Sequence, residues 1–72
     1  MSVAKVIEIS STSPDSFDKA VADGVARAAQ SVRNITSAWV KDMRCTVKDN
    51  KIVDYQVNMQ VTFLLDDKTN AG

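Results

Sequence analysis

Histidine is absent from this 72-residue chain, cysteine occurs once, and glycine only twice. Without an imidazole there can be no Cys-His or Ser-His nucleophile pair, and the commonest metal ligand is missing. The acidic residues show no dense ligand spacing, so a structural zinc site is excluded as well. Cys45 has no second thiol within the chain to pair with, which fits a reducing compartment. Gly24 and Gly72 are too few and too scattered to form a phosphate-cradling loop. An enzyme is not expected. Charge of one sign is also lacking: nine basic residues balance nine acidic ones, with no Lys/Arg cluster to track a nucleic acid. The apolar run VAKVIEIS is too short and too interrupted by charge for a signal peptide or membrane span. A soluble, cytoplasmic protein is the expectation.

At this length a single chain buries roughly 60% of its unfolded surface, a marginal core. With neither disulfide nor zinc available, association of copies is the expected way to complete the fold. Val3 to Ile9 carries apolar residues at 3, 4, 6, 7 and 9, which predicts a strand covered on much of both faces. SSTSPDS then predicts a helix start, with Ser13 as N-cap, Pro14 first in the helix and Asp15 against the positive end of the dipole. Phe17, Val21, Val25, Ala28 and Val32 form one apolar stripe, so the helix is expected from Pro14 to about Arg33. Asn34 is its expected stop. Gly24, beside the stripe, is expected to admit the close approach of another backbone.

Two further strands are joined by a tight turn at Lys48-Asp49-Asn50-Lys51. In the last strand Val53, Tyr55, Val57, Met59, Val61, Phe63 and Leu65 share one face; Asp54, Gln56, Asn58, Gln60 and Thr62 share the other. In the strand before it the apolar phase changes near Lys41-Asp42, which predicts a β-bulge. Val40 then faces the helix and Trp39 the other side. A two-residue turn with no intervening bulge would put Trp39 on the amide face. The fold class is α+β: β-α-β-β, a three-stranded antiparallel sheet packed on one amphipathic helix. One domain over residues 1–66 and a flexible tail over 67–72 are expected. The face carrying Trp39 and the amides is too polar for a core, and its tryptophan is too apolar for open water. It is expected to meet another subunit or a ligand.

The segments KVIEISSTSPDSF, ARAAQSVRNI and WVKDMR…DYQVNMQVTF resemble the dodecin family. The resemblance runs without gaps from Val3 to Leu65, with Thr12-Ser13, Arg27-Ala28 and Tyr55-Gln56 at the family's positions. It implies a hollow homododecamer that stores flavin (FMN, riboflavin or FAD) and has no catalytic role. Flavins would lie in pairs between subunits, each ring stacked on a tryptophan and hydrogen-bonded by a glutamine. The tryptophan would also quench light-driven flavin chemistry by electron transfer.

Carried over residue by residue, Gln56 matches the flavin-contacting glutamine, and Arg44 matches an arginine near the FMN phosphate in some members. Asp42 lies between Arg44 and Trp39 on the hairpin strand. The family's stacking position is Ser37 here, and Trp39 stands two residues later. That offset keeps the same sheet face but moves the indole about 6–7 Å along the strand. Three readings stay open: flavin stacks on Trp39 in an altered pose, the pocket takes another ligand, or Trp39 fills it. Arg27 matches a helix arginine that holds coenzyme A in some members, although Leu64 replaces their further basic residue. Asp66 and Asp67 are read either as cation ligands at a symmetry axis or as a solvated tail.

Overall fold

The computed structural model describes residues 2–65. Its elements run β1 (Ala4–Ser13), α1 (Phe17–Ala28), β2 (Ile35–Lys48) and β3 (Lys51–Leu64). The sheet order is β1-β3-β2 with both pairings antiparallel, as the β-α-β-β reading expected. The tail over 67–72, together with Asp66 and Asp67, lies outside the described residues.

The strand-to-helix junction departs from the expectation. SSTS belongs to β1, and the strand continues through Ser13, which pairs with Tyr55. Pro14 disfavours helical backbone at the residue before it, so Ser13 stays extended. The Ser13 hydroxyl accepts the Asp15 N–H at 3.0 Å, a local turn that Pro14 and Asp15 span outside the helix. The N-cap is Ser16, whose hydroxyl accepts the Lys19 N–H at 3.0 Å.

At the other end α1 stops at Ala28, short of the expected Arg33. Hydrogen bonds from Gln30 to Arg27 and from Ser31 and Val32 to Ala28 carry a tightened turn onward. Asn34, at φ 66°, then breaks the path in the left-handed region, as its side chain permits.

The buried helix face also differs from the valine stripe. Ala20, Gly24 and Ala28, four residues apart on one ridge, are the buried helix positions, while Phe17 and Val21 pack around them. Small residues let α1 lie close on the sheet. A Cβ at Gly24 would fall 2.6 Å from Met59 Cε and 2.9 Å from Ser11 Cβ, so sheet side chains make the close approach expected of a backbone. Val57, Met59 and Val61 of the central strand β3 are fully buried beneath the helix.

Asp49 and Asn50, at φ 52° and 64°, form the expected two-residue turn of the I′ kind, matched to the twist of a hairpin. The expected bulge is present: Val40 pairs with Met59 and Asp42 with Asn58, leaving Lys41 as the extra residue. Two more were not foreseen, at Thr36 in β2 and at Val53 in β3. The Val53 and Lys41 bulges lie on opposite strands and offset each other. Trp39 therefore pairs with Gln60 as it would in a hairpin with no bulge, while Asp42 and Arg44 between them are turned onto Trp39's face.

Helix α1 covers β1 and β3 but reaches β2 mainly through Val40. Farther along, Met43 and Val47 on the helix side of β2 are 58% and 56% exposed.

Candidate functional site

The sheet face away from α1 is ordered into rows that cross all three strands. Val6–Thr62–Ser37 is followed by Glu8–Gln60–Trp39, then Ser10–Asn58–Asp42, then Thr12–Gln56–Arg44. Each row takes its outer residues from β1 and β2 and its middle residue from β3. All five residues singled out in the sequence (Ser37, Trp39, Asp42, Arg44 and Gln56) lie on this one face. The Lys41 bulge is the reason, since strict alternation would set Asp42 opposite Trp39.

Trp39 is 66% exposed, so its indole is not a core plug. In the rows nearer the turn the polar side chains are tied to one another. The Asn58 amide donates to Asp42 Oδ1 at 2.6 Å, and the Gln56 amide donates to Ser10 Oγ at 2.9 Å and to Asn58 Oδ1 at 3.4 Å. Asp42 thus acts as an acceptor that orients Asn58, a role its sequence position did not suggest. Lys41 reaches from β2 across β3 to Glu8 at 3.2 Å, an exposed pair in which each side chain stays about half in water. Sequence reasoning missed this contact because the partners are 33 residues apart.

Within one chain Gln56 lies four residues along β3 from the partner of Trp39, about 13 Å at the usual strand rise. Ser37 lies one row farther away still. Within one chain the face therefore sets the aromatic platform and Gln56 at separate levels. Arg27 and Leu64, linked in the coenzyme A expectation, are not brought together. Arg27 lines a groove of about 540 Å³ between β1 and α1 with Ile7, Ile9 and Gly24. Leu64 lines another, of about 420 Å³, with Val3, Asn34 and Ile35.

Among the described residues no helix is long and apolar enough to cross a membrane. No group of three or more Cys, Asp and Glu side chains is placed to hold a metal ion among them either.

Comparison with known proteins gives the context of this face. The sequence profile described as Dodecin matches residues 3–66. Calcium dodecin of Mycobacterium tuberculosis is 40% identical over 63 residues, covering 88% of this chain and 89% of its own. The dodecin of Thermus thermophilus is 31% identical over 65 residues, covering 90% of this chain and 94% of its own. The solved dodecin from Streptomyces davaonensis superposes with a TM-score of 0.86 at 35% identity, covering 90% of this chain and 96% of that one. With its β-α-β-β order, its helix on one sheet face and these matches along nearly all of its length, the chain belongs to the dodecin family.

Proposed function

We propose that this chain is a non-catalytic flavin-binding dodecin that sequesters FMN, riboflavin or FAD between subunits of a homododecamer in the cytoplasm. The observation that carries the reading is Trp39, an exposed indole on the sheet face that α1 leaves open, beside a row of side-chain amides. The donor set fits an isoalloxazine ring: an aromatic surface for stacking, amides for the polar edge, and Arg44 on the same face for a phosphate. When bound, the flavin supplies the light-absorbing redox chemistry. Trp39 would return the excited ring to its ground state by lending an electron and taking it back, and its indole would exclude water from the stacked surface.

Adding the protein to riboflavin or FMN is expected to quench both the flavin and the Trp39 emission at micromolar concentration. Trp39→Ala is expected to leave an assembly of unchanged mass that no longer quenches. Unchanged emission with the unaltered protein overturns the reading. An assembly that falls apart on Trp39→Ala assigns the indole to subunit packing instead.

A second reading follows from one relative, the M. tuberculosis protein named calcium dodecin. Native mass spectrometry with added calcium separates it from the first, since a retained cation changes the particle mass with no flavin present. The same spectra would reveal bound coenzyme A, the third possibility.

A further inference from the structure

The two-residue displacement of the tryptophan changes which amide stands beside it. The pairing partner of Trp39 is Gln60, and facing Cβ atoms in such a pair lie about 4.5–5.5 Å apart. Gln60 is half-buried at the middle of its row, and its amide has no hydrogen-bond partner among the described residues. Gln56 differs on both counts. Within the same chain it is two rows away from Trp39, and its amide already donates to Ser10 and Asn58. Asn58 is likewise engaged with Asp42. The Lys41–Glu8 pair runs from the bulge between Val40 and Asp42 on β2 to Glu8, the β1 member of the Trp39 row itself, on the side of the row that faces Gln56.

We propose that Gln60, paired with the displaced Trp39, is the amide that reads the edge of the stacked ligand in this protein. A primary amide carries an N–H donor and a C=O acceptor side by side. The complementary ligand is a planar heteroaromatic with a cyclic imide or lactam edge, in which a ring N–H adjoins a carbonyl. Stacking such a ring on the indole sets that edge over β3, where the Gln60 amide can both donate and accept. An amide left bare beside an apolar platform also gives selectivity, because a ligand that cannot pair with it leaves the amide desolvated and unbonded. The inference rests on the flavin reading, since the isoalloxazine ring has such an edge at N3–H and C4=O.

The test uses the full chain and two probes, riboflavin and N3-methylriboflavin, the second with its imide donor blocked. Affinity is read from flavin and Trp39 quenching for the unaltered protein, Gln60→Met and Gln56→Met. The unaltered protein is expected to bind the N3-methyl probe about tenfold more weakly than riboflavin, the effect of one lost hydrogen bond. Gln60→Met is expected to bind riboflavin about tenfold more weakly and to stop distinguishing the probes. Gln56→Met is expected to keep the discrimination between the two probes, whatever its effect on the affinity common to both. Particle mass and circular dichroism establish that each variant is folded. Should Gln60→Met fail to fold, Gln60→Asn withdraws the amide by one methylene and makes the same comparison. If riboflavin does not quench the unaltered protein, the flavin reading fails and this inference with it. If riboflavin binds but the discrimination is lost in Gln56→Met and kept in Gln60→Met, only the assignment to Gln60 is overturned.

Discussion

A single missing methyl group sets the distance between helix and sheet. At Gly24 an added Cβ would run into the tip of Met59, which can swing away, and into Ser11 Cβ, which β1 holds in place. Overpacking of this kind costs about 1–3 kcal/mol, whereas alanine gains about 1 kcal/mol in helix propensity. Gly24→Ala is therefore expected to leave the fold less stable by up to about 2 kcal/mol, measured as a lower denaturant midpoint at fixed protein concentration. The sequence marked Gly24 as a point of close approach. It could not show that Met59 and Ser11 are what approach it, because those contacts join residues far apart in the chain.

At the scale of elements, hydrogen bonding and register decide the boundaries. Ser13 and Ser16 both stand near Pro14 as possible caps, and strand pairing with Tyr55 takes Ser13 out of the competition. Ser16→Ala is expected to lower stability by about 1 kcal/mol and to speed amide exchange in the first turn of α1. The hairpin carries two opposed irregularities. Because Lys41 is the extra residue of its bulge, deleting it joins the Val40–Met59 and Asp42–Asn58 pairs in one regular ladder and keeps Val40 under the helix and Trp39 on its own face. Only the exposed Lys41–Glu8 pair is lost, so the stability read from the denaturant midpoint is expected to change by less than about 1 kcal/mol.

The whole molecule is drawn out more than its length requires. Its radius of gyration is 15.3 Å with extents of 59 × 19 × 13 Å. A self-contained domain of this length would have a radius near about 11 Å. The excess length lies in the hairpin of β2 and β3, where Met43 and Val47 face outward on the helix side and Trp39 on the other. Both surfaces are suited to burial against further copies of the chain. If folding and assembly are coupled, the melting temperature is expected to rise with protein concentration, and the mass of the folded species should be a multiple of 7.9 kDa, twelvefold for the proposed dodecamer. Sedimentation and thermal scans across a dilution series check both. A folded monomer whose melting point is independent of concentration would contradict the assembly.

The order of elements, the alternation along β3, the Asp49–Asn50 turn and the Lys41 bulge are all legible in the amino-acid sequence. Each follows from local rules: a period of two, side chains that tolerate positive φ, and a visible change of apolar phase. It also carried the family resemblance and the candidates Ser37, Trp39, Asp42, Arg44 and Gln56. Long-range pairing and packing were needed to show that Ser13 ends a strand, that Ala20, Gly24 and Ala28 rather than the valines meet the sheet, and that Val53 bulges to offset Lys41. They also set Gln60 beside Trp39 and tied Gln56 to Ser10 and Asn58. The physical reason is register. A one-residue slip moves every side chain of a strand to the other face, and the pairing that fixes it is made between residues distant in the chain.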